Sequence, residues 1–388
     1  MSVQIGTGIS TEPGPLQAGT AAARAAAAGL GGAGADLALV FASGSHLAAP
    51  EATLEGVLAV LSPRTLVGCG AGGVLARGRE LERGNAVAVW TAALGGGSAL
   101  PFHATVTGEE PDYELAGLPN LDGANGALML TDPYSFPTET ALEMFTQAAP
   151  AVPVLGGLAS ARTDAGDAAL FVDDRVYDHG AVGVTLQGVE MLPCVSQGAA
   201  PLGREVTITS AEGNVIHELA GRPALETLKL VISELSPRER GLVAGGLLIG
   251  LVIDGGKPEY ERGDFLVRGV LGADPESGSL VVGAQVAAGQ VVRLHARDAR
   301  SADEDLHEAL RLRVHALAGE PPAGAVVFSC NGRGSEMFGI ADHDAQAIED
   351  ELGAPAAGFF AAGEIGPVGG RSFLHGFTAT LAVFPRGA

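Results

Sequence analysis

The chain has 388 residues, of which 47% are hydrophobic and 18% are charged, and its formal net charge at pH 7 is -22. This composition is typical of a globular protein and excludes an intrinsically disordered one. A surface this acidic repels phosphate backbones and anionic lipids, so we expect a protein that binds neither nucleic acid nor a membrane surface.

Cysteine and histidine spacing gives no sign of a disulfide framework or of a metal site. The three cysteines, Cys69, Cys194 and Cys330, are widely separated, and the histidines lack metal-ligand spacing, so we expect no metal and no cofactor. The amino terminus lacks a basic segment followed by an apolar one, and no apolar run approaches the ~20 residues of a membrane span. The sequence therefore predicts a cytoplasmic protein.

The first half of the chain alternates predicted helices and strands. Hydrophobic periodicity and flanking turn residues predict helices at 16–29, 51–61 and 138–148. They predict strands at 37–42, 65–69, 86–92, 127–131, 152–155, 168–172 and 181–186, and a hairpin at 206–216.

The second half continues with predicted helices at 224–235, 302–316 and 335–352, and predicted strands at 247–253, 265–271, 280–282, 290–295, 325–329, 356–360 and 376–384. Together these elements predict a mixed α/β (α+β) fold. We expect two packed domains, residues 1–222 and 223–388, built from strand–helix–strand units with mixed sheets covered by helices.

An internal parallel connects the two ends of the chain. The run Val40 to Ser43, a helix and a Gly-rich strand end resemble Val327 to Cys330, a helix and the strand end before Glu364. Residues 128–131 and 154–157 repeat the order a third time. The alignment matches Ser43 with Cys330 and predicts a duplicated unit, although any α/β protein produces such echoes; it also matches Gly73 with Glu364.

Chemically capable side chains follow two apolar runs in the C-terminal part. Cys330 and Arg333 follow one run, with Asn331 between them, and Glu364 follows the other in a Gly-flanked turn. Positive charge and a following helix favour the thiolate of Cys330, whereas a buried lone cysteine is more often inert. Arg333 and Glu364 together suit a zwitterion, because a guanidinium holds a carboxylate and a carboxylate holds an ammonium.

Each of these residues also has a structural interpretation. Arg333 would then pair with Glu336 or Asp342 at the surface, and Glu364 would bond to turn amides. His375, just before the last strand, is either a base for Cys330 or a structural histidine. The run Asp342-His343-Asp344 is interpreted as a solvated cluster on a helix surface.

Several motifs resemble the FIST family over nearly the whole chain. They are Val67-Gly68-Cys69, Asp178 to Val184, Ser196-Gln197-Gly198, Phe328-Ser329-Cys330 followed by Gly332-Arg333, Gly363-Glu364-Ile365, and the late His375 and Thr378. Many members carry a carboxylate after the first glycine pair, where this chain has Gly72-Gly73, and that departure argues against a second polar site in the N-terminal half.

The resemblance implies a sensory module that binds a small ligand. We expect a non-catalytic protein that binds an amino acid or a related metabolite at a cleft between its halves and signals to a separate downstream protein. Arg333 is predicted to hold the ligand carboxylate and Glu364 its ammonium. The predicted ligand-binding residues are Cys330, Asn331, Arg333, Glu364, His375, Ser43, Cys69 and Gln197.

Two alternatives remain open at the sequence level. In the first, Cys330 is the nucleophile of a hydrolase or acyltransferase, with His375 as the base and Glu364 orienting it. In the second, the chain is an interaction scaffold without a ligand site.

Overall fold

The computed structural model describes residues 2–108, 113–260 and 262–387. The chain forms two compact units, of which the first contains Met1–Ser196, Leu306–Leu374 and Thr378–Ala388, and the second contains Gln197–Asp305 and His375–Phe377. The second unit therefore consists of two segments that interrupt the chain of the first. The predicted domain boundary between residues 222 and 223 would divide the sequence into two continuous segments, and it stays a prediction.

The first of three repeats occupies residues 4–93. Its elements are β1 (Gln4–Ser10), α1 (Pro15–Ala27), β2 (Leu37–Ser43), α2 (Pro50–Leu61), β3 (Thr65–Gly70), β4 (Val74–Ala76), β5 (Arg79–Leu81) and β6 (Ala86–Ala93), with short 3-10 helices at Ala28–Leu30 and Gly44–Ala48. β2 is buried along its whole length. Its continuous apolar sequence is typical of a strand covered on both faces.

In the first repeat, a strand (β2), a helix (α2), a second strand (β3), a hairpin (β4–β5) and a return strand (β6) follow one another. The second repeat contains elements in the same order. Its elements are β7 (Ser98–Thr107), β8 (Glu114–Ala116), β9 (Gly126–Thr131), α3 (Thr138–Ala148), β10 (Val154–Leu158), β11 (Leu170–Val172), β12 (Arg175–Tyr177) and β13 (Ala181–Gln187).

After β14 (Leu192–Gln197) the chain enters the second unit. Its elements are β15 (Ala199–Glu212), β16 (Val215–Leu219), β17 (Arg222–Pro223), α4 (Ala224–Glu234), α5 (Pro237–Ala244), β18 (Leu247–Val252), a 3-10 helix (Arg262–Asp264), β19 (Phe265–Ala273), β20 (Leu280–Val282) and β21 (Val291–Arg297). The strand order is β15-β21-β18-β19-β20-β16-β17, and a further pairing of β15 with β16 closes the sheet into an antiparallel barrel. Closure removes exposed sheet edges.

The third repeat completes the chain. Its elements are α6 (Ala299–Ala316), β22 (Gly324–Cys330), α7 (Ser335–Phe338), α8 (His343–Leu352), β23 (Ala356–Ala361), β24 (Glu364–Val368), β25 (Arg371–His375) and β26 (Thr378–Phe384). The prediction of a single helix at 335–352 is wrong, because the helix is interrupted between α7 and α8. Gly339 and Asp342 both have left-handed backbone there, which a helix cannot continue.

The three repeats share strand order and direction, which confirms the predicted strand–helix–strand units. The strands joined by a helix are parallel neighbours in each repeat (β2–β3, β9–β10 and β22–β23). Each return strand (β6, β13 and β26) pairs antiparallel with the first of the two. The repeated unit therefore occurs three times, and the third echo in the sequence is a true copy.

The hairpin of each repeat joins the sheet of another repeat. Strands β4–β5 extend the sheet of the third repeat, β11–β12 that of the first, and β24–β25 that of the second. One hydrophobic core draws on all three sheets, while α1 and α2, then α3, then α6 and α8 cover their other faces. This cyclic exchange brings side chains from distant parts of the sequence to the strand ends of the third repeat.

Strand β1 was not predicted from the sequence, because Gly6 and Gly8 interrupt its β-branched pattern. Both glycines are required by packing: a Cβ at Gly6 would overlap the carbonyl oxygen of Ala26, and one at Gly8 that of Ala22. Helix α1 thus lies directly on the backbone of its strand.

Candidate functional site

Cys330 is the last residue of β22, and its side chain faces the central core. Val326 and Phe328 belong to that core, whereas Val327 packs against the helices on the other face. Side chains alternate along a strand, so Cys330 points inward with Phe328. Because Ser329 pairs with Ala379 in β26, the next antiparallel position sets Cys330 beside Thr378.

Glu364 begins β24 and is fully buried at the same strand end. Its Oε2 accepts hydrogen bonds from the backbone N–H of Thr378 at 3.0 Å and from the Thr378 hydroxyl at 2.9 Å. Its Oε1 has no nitrogen or oxygen partner in the part of the chain that the structure describes. The Cys330 thiol is a further hydrogen-bond partner of this carboxyl.

Burial makes Glu364 a neutral acid near pH 7. Desolvation raises the pKa of Glu364 to about 8, against the lowering effects of the Thr378 and Cys330 hydrogen bonds and of the Arg333 charge. A carboxylic acid in this state donates a hydrogen bond, while an ionised one accepts only. Perturbed carboxyls of this kind are concentrated at functional sites.

The Cys330 thiol lies beside the turn that follows β22. The backbone N–H of Gly332 donates to Sγ at 3.5 Å, and the thiol lies 3.9 Å from Asn331 Oδ1. Cys330 is 5% exposed, whereas Asn331 is exposed. The predicted residues Cys330, Asn331 and Glu364 are thus together at one strand end, with Asn331 at the rim.

Arg333 does not pair at the surface as its structural interpretation supposed. It is buried, and its Nε and Nη2 donate to Oδ2 and Oδ1 of Asp344 at 2.6 and 3.0 Å. The Ser329 hydroxyl donates to Asp344 Oδ2 at 3.1 Å, and His343 Nδ1 lies 2.9 Å from Oδ1. One edge of the predicted carboxylate-binding fork, with two donors, therefore binds an internal carboxylate.

The interpretation of residues 342–344 as a solvated cluster was wrong for Asp344, which is 1% exposed. Burial alone would raise the pKa of Asp344, but the Arg333 charge and the hydrogen bonds from His343 and Arg333 hold it well below its usual range. The break between α7 and α8 turns the start of α8 toward the sheet. This interruption of the helix was not predicted from the sequence.

Two acidic residues of the first repeat also reach this region through the β4–β5 hairpin. Glu80 Oε1 accepts from the backbone N–H of Ala345 at 2.9 Å, and Glu82 Oε1 accepts from that of Ser335 at 2.8 Å. Burial and the Asp344 charge raise the pKa of Glu80 to about 7. Nothing in the local sequence marked these residues, because only the hairpin exchange brings them here.

Ser43 and Cys69 are positioned in the first repeat, apart from this cluster. The Ser43 hydroxyl donates to the carbonyl oxygens of Gly84 and Ala86 at 2.9 and 3.3 Å. Cys69 is fully buried in β3, and burial raises the pKa of its thiol far above the ordinary range. Neither side chain offers a reactive or exposed group in this conformation.

Gln197 and His375 belong to the second compact unit. The backbone N–H of Gln197 donates to Asp305 Oδ2 at 2.6 Å, and its side-chain Nε2 donates to the Phe265 carbonyl at 2.9 Å. The Oε1 of Gln197 has no partner among the described residues. His375 is 4% exposed and opens the short segment His375–Phe377 of that unit.

Strand register defines equivalent positions in the three repeats. Cys330 pairs with Ala361 in the parallel strand of its own repeat. In the second and first repeats, the equivalent position directly follows the last residue pair of the parallel strands, which is Thr131–Leu158 and Ala42–Gly70. The residues equivalent to Cys330 are therefore Asp132 and Ser43. The predicted match of Ser43 with Cys330 agrees with this register. Glu364 lies three residues after the inward-facing alanine of the second strand, and the equivalent positions in the other two repeats are Arg162 and Val74. Val74 is one residue away from Gly73, which the sequence alignment matched with Glu364.

The second repeat fills its pair of positions with an ion pair. Arg162 donates through Nη2 to Asp132 at 2.8 Å, and Ser135 donates to the same carboxylate at 2.6 Å. Asp132 is 1% exposed, but the Arg162 side chain is 34% exposed and lies under the ring of Tyr134. Opposite charges close this site, whereas the third repeat leaves a neutral acid beside a thiol.

In the described ranges, no group of three or more His, Cys, Asp and Glu side chains is arranged to hold a metal ion. Within the same ranges, every helix is too short or too polar to cross a bilayer.

Comparison with known proteins gives a consistent result along the chain. The FIST N domain matches residues 36–222 and the FIST C domain matches residues 224–367. The uncharacterized protein Rv0628c of Mycobacterium tuberculosis is 43% identical over 392 residues, covering 98% of this chain and 100% of the relative. The uncharacterized protein Mb0898c of Mycobacterium bovis is 42% identical over 395 residues, covering 98% and 99%.

Proposed function

Because the chain belongs to the FIST family, whose domains are associated with sensory signal transduction and small-ligand binding, we propose that it detects an amino acid or a related amine in the cytoplasm. The signal then passes to a separate protein. The observation that carries this proposal is the buried Glu364 beside the thiol of Cys330. Its Oε1 lacks a nitrogen or oxygen partner among the described residues.

The ligand's ammonium group binds Glu364 in this proposal. A buried acid with a pKa of about 8 must first lose its proton, which costs about 1.4 kcal/mol per pH unit below that value. An ammonium in a buried site repays this cost through a charge-assisted hydrogen bond. Ligand binding thus releases a proton, and affinity weakens about tenfold for each pH unit below about 8.

The rest of the ligand lies toward Asn331, at the exposed rim of the turn after β22. Its amide offers a donor to the ligand carboxylate. Arg333 supports the site indirectly: one edge of its guanidinium binds Asp344, and its charge lowers the pKa of Glu364. Arg333 has this indirect role in the proposal, and a direct contact between Arg333 and the ligand carboxylate stays a prediction from the sequence.

A thermal-shift screen against amino acids and simple amines tests the proposal, because a ligand that binds only the native state raises the melting temperature. Glu364→Gln keeps the shape of the side chain but cannot ionise, so we expect it to abolish the shift. Glu80→Gln changes another buried carboxyl and should retain the shift. A flat response of the wild-type protein to every compound would favour an interaction scaffold instead.

The enzyme alternative assigns Glu364 to orient His375 as an ionised carboxylate. With a pKa of about 8, Glu364 is largely neutral at pH 7 and does not stabilise an imidazolium there. Alkylation separates the two functions: a catalytic Cys330 thiol reacts faster than free cysteine at neutral pH, whereas a residue that only lines the pocket does not.

A further inference from the structure

The thiol of Cys330 has three features that suit it to chemistry beyond ligand binding. It ends a strand in a turn whose Gly332 N–H points at Sγ, and an exposed residue, Asn331, follows it directly. A fully buried carboxyl, Glu364, hydrogen-bonds the thiol and has an oxygen without a nitrogen or oxygen partner in the described residues.

We propose that Cys330 is an oxidation site for hydroperoxides, and that its sulfinate product is held by the Glu364 carboxyl and the Gly332 N–H. This modification needs no amino acid ligand, but it uses the same Glu364 oxygen as the ligand's ammonium. It therefore adds a second chemical input that competes with the first.

The reaction proceeds in two steps with a hydroperoxide as the oxidant. The Cys330 thiolate attacks one peroxide oxygen, the O–O bond breaks, an S–O bond forms, and the departing hydroxide takes up the thiol proton as water. The sulfenate then attacks a second peroxide in the same way and gives the sulfinate. With hydrogen peroxide, one thiol and two peroxides yield one sulfinic acid and two waters.

No second cysteine is placed to divert the sulfenate into a disulfide. Cys194 packs with Val327 against the helices, on the face of the sheet opposite to Cys330. Cys69 is buried in β3 of another sheet. A sulfenate without a neighbouring thiol reacts onward with peroxide.

Glu364 suits the product better than it suits the thiol. A sulfinate carries a negative charge and two acceptor oxygens, and a neutral carboxylic acid supplies the donor that a carboxylate lacks. Thr378 occupies Oε2, which directs the remaining oxygen of the acid toward other partners. The new anion would in turn keep Glu364 protonated.

The test is peroxide titration of the folded full-length chain, followed by peptide mass spectrometry of the three cysteines. We expect Cys330 to gain two oxygen atoms about tenfold faster than Cys69 and Cys194, which are more deeply buried. Equal rates for the three thiols, or an unmodified Cys330, would overturn the proposal.

Variants and stability then test the role of Glu364. Glu364→Gln retains an N–H donor and should preserve the sulfinate, whereas Glu364→Leu should shift the product to the sulfonate; an unchanged product in the leucine variant contradicts the proposal. If that variant does not fold, the wild-type protein decides: oxidised protein should unfold at higher urea concentration than reduced protein. A lower midpoint would mean that nothing holds the sulfinate. Thermal shifts with amines on untreated protein report separately on the ligand proposal.

Discussion

The second and third repeats place different chemistry at the same two backbone positions. In the second repeat, Asp132 and Arg162 neutralise each other at a partly exposed site. In the third, Cys330 and the neutral acid Glu364 form a pair that is almost wholly buried. A shared scaffold therefore supplies equivalent positions, and the side chains decide whether a position is a closed ion pair or a site with an oxygen left for a partner.

The third repeat also contains a buried ion pair, between Arg333 and Asp344. Arg333 and Asp344 are at most 1% exposed, so neither charge reaches water. In the second repeat the guanidinium is partly exposed and can be rehydrated when its partner is lost. The same residue types should thus differ in their contribution to stability.

The largest expected effect follows from this difference. Asp344→Asn leaves the Arg333 charge buried without its counter-ion, and we expect a loss of about 3–5 kcal/mol in the free energy of unfolding. Asp132→Asn should cost only about 1–2 kcal/mol, because Arg162 turns to solvent. Urea unfolding of both variants measures the two values. Equal losses would show that the two ion pairs are energetically alike.

The pH dependence of stability should come mainly from Glu364 in the third repeat. The pKa of Glu364 is about 8 in the folded protein and about 4.3 in an unfolded chain, so the native state binds more protons between these values. Stability therefore falls as pH rises through this window, on the order of 3 kcal/mol between about pH 5 and about pH 7.5.

Glu364→Gln should remove most of that slope, as measured by urea unfolding across the window. Glu80, whose pKa of about 7 is raised in the same direction, adds its own part. Glu80→Gln should accordingly flatten the profile only up to about pH 7. A glutamine variant at 364 with the wild-type slope would refute a neutral Glu364.

The smallest effect concerns two threonines of β26. The Thr378 hydroxyl donates to Glu364, whereas Thr380 Oγ1 is buried without a partner in the described residues. Thr378→Val should destabilise the protein by about 1–2 kcal/mol, and Thr380→Val should be neutral or stabilising because it removes an unsatisfied hydroxyl. Thermal unfolding compares the two. Matching losses would mean that the Glu364 hydrogen bond carries no special weight.

Much of the fold was readable from the sequence. The apolar runs at 37–42, 127–131 and 325–329 are strands of three equivalent units, because a strand covered on both faces must be apolar throughout. Strand β1 escaped detection, because Gly6 and Gly8 serve helix packing instead of strand propensity. The break between α7 and α8 escaped as well, since left-handed residues such as Asp342 carry only a weak sequence signal.

By itself, the sequence determined the mixed α/β class, the repeated strand–helix–strand unit, and the location of Cys330 and Glu364 at strand ends. Local patterns suffice for these, because periodicity and turn residues act over a few positions. Only the tertiary structure decided the hydrogen-bond partners. They are Asp344 for Arg333, Thr378 for Glu364, and Glu80 of the first repeat for the backbone of α8. Those contacts depend on strand register and on the exchange of hairpins between sheets, which bring together residues that are far apart in the chain.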